Sequence, residues 1–135
     1  MSIVKIRAAM EKHLAALTPA MPTAWENAPF APVVGVAYQS VHLLHNDPLN
    51  PTLAQSVVIE RGILQVSLHY PVGAGPNAAA ARAMLLRQHF PAGLALHEGG
   101  VTVRIERTPA IATAMLDEGR HVVPVSIRYQ AITRN

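Results

Sequence analysis

The stretch from Gly62 to Phe90 constrains the fold of this chain more than any other. Between Leu64 and Tyr70 apolar residues occupy every second position and polar residues fill the gaps, which predicts a half-buried strand. A turn rich in proline and glycine follows it. The alanine-rich run over 77–90 then predicts a helix with Asn77 as its N-cap. The sequence therefore predicts a strand–turn–helix unit here.

Elements before this unit follow from spacing and proline content. Apolar residues three and four apart predict an amphipathic helix over 2–17. Alternating prolines predict an extended segment or a short edge strand over 23–32, and a second strand is expected over 36–44. The alternation over 57–70 changes phase at Gly62, which predicts a bulge or bend there, with a tight hairpin at 60–62 as the alternative.

After the second helix, two apolar runs flank Gly99-Gly100 and predict a hairpin over 94–107. The last strand is expected over 123–129, with an edge or a bulge where Pro124 lacks an amide donor. Residues 109–116 remain ambiguous. The order of elements indicates a single α+β domain over 1–135, with a mainly antiparallel or mixed sheet and two helices packed on one face. The expected core contains Leu14, Leu64, Val66, Leu68, Leu85, Val125 and Ile127.

Charge and composition narrow the classes of function. The chain has 135 residues with a net charge of +3, and its basic residues are scattered rather than clustered, so no readout of nucleic acid sequence is expected. It has no cysteine, which excludes disulfides and thiolate metal sites. No stretch approaches the ~20 apolar residues of a membrane span, so no membrane association is expected and the protein should be intracellular when made.

A search for chemistry identifies no convincing site. The turn after Tyr70 joins a strand to a helix but lacks the Gly-Lys-Ser/Thr of a phosphate loop. His42 and His45 would point to opposite faces of a strand, and the eight acidic residues are dispersed. No catalytic residue, cofactor or metal is therefore expected. A small-molecule-binding or catalytic domain stays open as an alternative, and a deep polar pocket with converging titratable groups would favour it.

Several short motifs occur in a characteristic order. They are Trp25-Glu26-Asn27, Pro29-Phe30, a strand with Gly62 and Gln65, and a turn with Pro71, Gly73 and Gly75. Together with the helix before them and the last strand, they resemble the tail terminator proteins of long-tailed bacteriophages, of the kind represented by tail protein U of phage lambda. The resemblance spans roughly residues 3–131, and the segments 41–56 and 109–120 match no motif.

The resemblance implies a non-enzymatic virion protein, encoded by a phage or prophage. Such a protein forms a hexameric ring on the end of the tail tube, stops tube polymerisation and joins the head. Its implied partners are further copies of itself, the tail tube protein and the head–tail joining protein. It would be assembled in the host bacterial cytoplasm and end in the virion tail. Another head–tail joining protein or a tail tube component is the alternative within the same class.

Two regions are predicted to carry the assembly contacts, and the free chain is expected to be largely monomeric. One is a long turn-rich loop after the second strand, which is longer than most connections. The other is the side of the second helix that faces away from the sheet. The candidate contact residues are His45, Asp47, Leu49 and Leu53 in the loop, and Arg82 and Arg87 on the helix.

Overall fold

The computed structural model of the chain describes residues 2–51 and 57–134. Two helices and eight strands alternate in the order α1–β1–β2–β3–α2–β4–β5–β6–β7–β8. The helices are α1 (Ser2–Ala15) and α2 (Asn77–His89). The strands are β1 (Thr23–Ala24), β2 (Tyr38–His45), β3 (Val57–Pro71), β4 (Ala95–Glu98), β5 (Val101–Ile105), β6 (Ala110–Ile111), β7 (Met115–Asp117) and β8 (Arg120–Arg134).

All eight strands form one sheet in which β1, β2, β3, β8, β5 and β4 lie side by side, while β6 and β7 also pair with β8. The short pairing of β1 with β2 is parallel, and the other described pairings are antiparallel. The sheet is thus mixed but mostly antiparallel, and the predicted α+β class is confirmed. The hairpin of β4 and β5 lies where the glycine pair predicted it.

The longest feature is the antiparallel pair of β3 and β8, each 15 residues long. Their register runs without interruption from Val57 opposite Arg134 to Pro71 opposite Arg120. The bulge predicted at Gly62 and the alternative hairpin at 60–62 are therefore both wrong. The apparent change of phase in the apolar alternation arises because residues 57–61 of β3 are half-buried on both faces of the sheet.

Pro124 lies in β8 with β3 on one side and the broken series β5, β6 and β7 on the other. The carbonyl of Pro124 accepts a hydrogen bond from the amide of Ala112 at 2.9 Å, on the side away from β3. Because the amide and carbonyl of one strand residue point the same way, the missing donor of Pro124 also faces that side. Three residues there, 112–114, oppose only two in β8, so the irregularity lies in the partner strand.

The core lies between one face of the sheet and both helices. From α1 it contains Ile6, Met10 and Leu14, which recur at helical spacing. From α2 it contains Ala79, Ala83 and Leu86. From the sheet, the predicted Leu64, Val66, Leu68, Val125 and Ile127 are all buried, as is Leu14. Leu85 packs only at the margin, and the fully buried leucine of α2 is its neighbour Leu86.

The two helices end close to one another. His13 near the end of α1 and His89 at the end of α2 stack with ring centroids 3.9 Å apart. Each ring nitrogen Nε2 lies within hydrogen-bond distance of the other residue's backbone carbonyl, at 2.6 Å and 2.5 Å. Phe90 packs edge-on against both rings. This reciprocal pair, the histidine clamp, fixes the ends of α1 and α2 to each other.

The start of α2 differs from the prediction. Pro76, not Asn77, occupies the N-cap position, and no side chain caps the helix there. The first helical bond runs from the amide of Ala80 to the carbonyl of Pro76 at 3.0 Å. Proline suits a helix start because its absent amide has no acceptor in the first turn anyway.

Candidate assembly surfaces

The loop after β2 continues along the edge of β3. The amide of Asn46 donates to the carbonyl of Arg61 at 2.9 Å, and Leu49 pairs with Ile59 in an isolated bridge. Arg61 Nε in turn donates to the carbonyl of Asp47 at 2.9 Å. His45, Asp47 and Leu49 are all exposed, as predicted, although this part of the loop is held by backbone bonds. The fourth candidate, Leu53, lies outside the described residues.

The two arginines of α2 are not on a free helix face. Arg82 is only 5% exposed, and its Nη1 donates to the carbonyl of Pro19 at 2.5 Å. Burial lowers the pKa of its guanidinium, and the nearby Tyr70 opposes that shift. Arg87 is half-buried and donates from Nε to the carbonyl of Pro109 at 3.1 Å. The expectation that Arg82 is exposed is wrong, because its long side chain ties α2 to the loop after α1.

The first motif segment ties α1 to the sheet. Glu26 Oε1 accepts a hydrogen bond from the amide of Leu43 in β2 at 2.9 Å and another from Arg7 Nη1 of α1 at 3.0 Å. The Leu43 amide, and then Arg7, hold the pKa of the Glu26 carboxyl below its ordinary value. Asn27 next to it has φ of 56°, a left-handed conformation that asparagine tolerates. Trp25 packs against the margin of the core.

A large aromatic residue such as Phe30 is expected to plug the end of the core, but its ring packs outside the core cluster. Its ring lies 5.0 Å from that of Tyr38, which stacks on His69 at 4.3 Å. The guanidinium carbon of Arg120 lies over the Tyr38 ring, 4.9 Å from the ring centroid. It also donates to the carbonyls of Val33 and Val36, both at 2.8 Å. These side chains fix the exposed segment 31–37 against the sheet face that carries no helix.

Gly62 is needed for space. It lies opposite Tyr129 in β8 and His45 in β2. A Cβ at position 62 would meet the carbonyl oxygen of Leu44 and would lie 2.6 Å from the Tyr129 hydroxyl. Burial, and then the Glu60 carboxylate, raise the pKa of Tyr129 to about 12. The glycine thus lets a large buried ring lie across the strand. Gln65, on the opposite face, is half-buried.

The turn with Pro71, Gly73 and Gly75 lies at the far end of β3 from the loop. Both glycines have positive φ, 90° and 81°, which explains why the motif requires them. The turn borders an open groove of about 520 Å³, whose other wall is formed by β7. Val72, Met115 and Leu116 are exposed there. The sequence does not point to the two β7 residues, because the segment 109–116 has no clear apolar period.

The face of the sheet without helices, called here the open face, is basic. Strand alternation and register place Arg61, Arg104 and Arg128 on it, together with apolar Leu44 and Ile63. Its strand positions in β2, β3, β4, β5 and β8 carry no aspartate or glutamate over the described residues. A cleft of about 280 Å³ opens at this face, and Glu106 is the one carboxylate among its lining residues.

Among residues 2–51 and 57–134, no three histidine, aspartate or glutamate side chains converge as a metal site. None of the helices over the same residues is long and apolar enough to cross a membrane. The grooves described above are open and border exposed apolar and charged side chains.

Exposed apolar and charged surfaces on a two-layer α+β domain are typical of a subunit that assembles with other protein chains. Comparison with known protein families identifies the family to which this assembling subunit belongs. A family model described as phage tail terminator protein matches residues 5–129, so the chain belongs to the phage tail terminator family. The resemblance inferred from the motifs is thereby confirmed, and the chain is a component of a phage tail.

A solved structure is similar to this chain. It has 32% sequence identity and a TM-score of 0.80, over 97% of this chain and 96% of the other. The fold described above is therefore shared over nearly the full length of both chains. The comparison with curated proteins returned no match.

Proposed function

We propose that this protein ends the growth of a phage tail. Copies of the chain assemble as a hexameric ring on the end of the tail tube, block further addition of tube subunits and present a surface to the head. The observation that carries the proposal is the family match over residues 5–129, which includes both helices and most of the sheet.

The distribution of exposed surface supports a ring. A closed ring of identical subunits needs two different patches on each chain, one for each neighbour. Exposed apolar side chains occur at both ends of the β3–β8 pair: Val72 and Leu116 at one end, and Leu49, opposite Ile59, at the other. The loop with His45, Asp47 and Leu49 borders the second of these and is the proposed contact with a neighbouring subunit or with the tube.

Free subunits and ring subunits differ in the contacts available to them. Individual interfaces of moderate size are weak, and the tube raises the effective concentration of subunits that bind to it. The chain is therefore proposed to be largely monomeric when free in the host cytoplasm and to form the ring on the tube. Its partners would be the tail tube protein on one side and the head–tail joining protein on the other.

Complementation tests this function. The gene is expressed in cells infected by a terminator-defective mutant of the phage from which the chain derives, and particles are counted and imaged by electron microscopy. The expected result is infectious particles with tails of uniform length, against overlong tubes without heads in the uncomplemented control. Tails of uniform length that stay detached from heads would support termination and contradict head joining. Overlong tubes despite well-folded protein would overturn the proposal.

A further inference from the structure

One end of the molecule carries an exposed hairpin that is both apolar and acidic. β7 joins β8 through the two-residue turn Glu118-Gly119, whose φ values of 50° and 73° match a type I′ turn. Met115 is 51% exposed and Leu116 is 75% exposed, and both carboxylates that follow are exposed as well. We call Met115, Leu116, Asp117 and Glu118 the acidic tip.

The part of the open face that lies away from the tip has the opposite charge. Leu44, Ile63 and Arg128 form one row across β2, β3 and β8, and Arg61 and Arg104 lie in the next row. Over the described residues, none of the three arginines lies within ion-pair distance of a carboxylate. We call Leu44, Arg61, Ile63, Arg104 and Arg128 the basic face.

We propose that the acidic tip of one subunit docks on the basic face of the next subunit in the ring. Met115 and Asp117 lie on one side of the hairpin by register, and they match the basic face in apolar content and in sign of charge. This complementarity favours contact between tip and face over contact between two tips or two faces. They cannot meet within one chain, because Arg120 beside the tip and Arg128 on the face are separated by roughly 25 Å of strand. This inference rests on the proposed ring.

The geometry also accounts for a ring rather than a dimer. A contact between two different patches leaves one free tip and one free face at the ends of any open assembly. Addition of further subunits repeats the same contact until the first and last copies meet. Each subunit then buries its exposed Leu116 and its unpaired arginines at the same time, which offsets the cost of removing the charges from water.

Disulfide trapping provides a direct test, because the chain has no cysteine of its own. The variant Leu44→Cys with Leu116→Cys places one thiol on the face and one on the tip, both at exposed positions. On mild oxidation it should give a ladder of covalent oligomers beyond the dimer. The control variant Val4→Cys with Leu116→Cys carries its first thiol at an exposed apolar position of α1, outside both surfaces, and should give only background cross-linking.

Charge reversal in the trapping background separates specific docking from random collision. Arg104→Glu with Arg128→Glu makes tip and face both acidic, and Asp117→Arg with Glu118→Arg makes both basic. Each should lower the yield of the ladder at least about tenfold, since like charges then face each other. An equimolar mixture of the two variants restores both pairings in alternation, so the ladder should return. All four changes in one chain should restore it too.

The outcomes distinguish this contact from the proposed function. A ladder that ignores charge reversal, or that fails to return in the mixture, would overturn the contact even if the chain complements the terminator defect. Arg104→Glu with Arg128→Glu could instead abolish binding to purified tail tubes while leaving the ladder intact. The basic face would then bind an acidic surface of the tube, and the proposal would be wrong. Charge-dependent trapping without complementation would retain the contact and refute the terminator role.

Discussion

Single residues in this chain are placed by steric and polar demands that reach across the sheet. Gly62 leaves room for the ring of Tyr129 and the backbone of β2. Glu26 joins α1 to β2 through Arg7 and the Leu43 amide. These contacts explain why the family motif contains a glycine inside a strand and a carboxylate beside a tryptophan, neither of which periodicity alone accounts for.

Leu68 provides a test of the core at this scale. It is fully buried between the sheet and the helices, so Leu68→Ala should lower the free energy of unfolding by roughly 2–5 kcal/mol. Leu116→Ala removes the same atoms from a side chain that is 75% exposed and should change it by less than about 1 kcal/mol. Denaturant melts of both variants measure the difference. Equal losses would show that the face assignment of β3 is wrong.

Arg82 provides a second test. Its guanidinium is buried and bonded to the carbonyl of Pro19, so Arg82→Glu would place a carboxylate beside a carbonyl oxygen out of water. We expect a loss of roughly 3 kcal/mol or more in the free energy of unfolding. Gln88→Glu, an exposed position on the same helix, should leave stability within about 0.5 kcal/mol of the original. A melt in which Arg82→Glu is neutral would contradict the buried placement.

At the scale of elements, the sequence predicts those helices, strands and turns whose formation depends on residues close together in the chain. The alternation in β3, the helical spacing in α1 and the glycine pair between β4 and β5 identify those elements correctly. The uninterrupted register of β3 with β8 could not be read from the sequence, since it depends on a partner strand about 60 residues away in the chain. The same reason hid β6 and β7, whose short pairings are defined by β8 alone.

The predicted assembly residues also divide into those placed by local sequence and those placed by tertiary contacts. Turn residues after β2 predicted an exposed loop correctly, because proline and asparagine act on their own backbone. The sequence places both helix arginines on the side of α2 that faces away from the sheet, but a tertiary contact to Pro19, which local pattern cannot predict, buries Arg82. The basic face is assembled from strands distant in sequence, so it forms no run of like residues that could be recognised. The acidic tip is contiguous in the chain, but it lies in the segment 109–120, which matches no motif.

The histidine clamp makes a prediction at this scale. Burial, and the neighbouring His89, lower the pKa of His13 from its ordinary value of 6.5, although its bond to the His89 carbonyl opposes the shift. Between the lowered value and 6.5 the unfolded chain binds more protons than the folded chain. The free energy of unfolding should therefore fall as pH falls through that window and level off below it.

Thermal melts from neutral to mildly acidic pH measure the effect. His13→Gln keeps a donor for the His89 carbonyl but cannot titrate, so the loss of stability on acidification should become smaller. Burial also lowers the pKa of His69, so a residual dependence is expected from that group. His97→Gln, at an exposed position away from the clamp, is the matched control. An unchanged profile in His13→Gln would exclude the clamp as its source.

For the whole molecule, the segregation of charge matters more than the net charge of +3. The open face concentrates arginines, while Asp117 and Glu118 lie at one end of the β3–β8 pair. Two surfaces of opposite sign on one chain favour head-to-tail association. At low concentration this contact alone is weak, so sedimentation velocity on the dilute chain should show mainly monomer. A stable ring in dilute solution without tubes would contradict the proposed dependence on the tube.

Salt should separate the charged part of this contact from its apolar part. Raising the salt from about 0.1 M to about 1 M shortens the screening distance from ~10 Å to ~3 Å. In the chain with Leu44→Cys and Leu116→Cys, the yield of trapped oligomers should fall over this range, because attraction between tip and face is screened. With Arg104→Glu and Arg128→Glu added, tip and face repel, so the same increase in salt should raise the yield. A yield that changes in the same direction in both variants would show that the arginines of the open face do not meet the carboxylates of the tip.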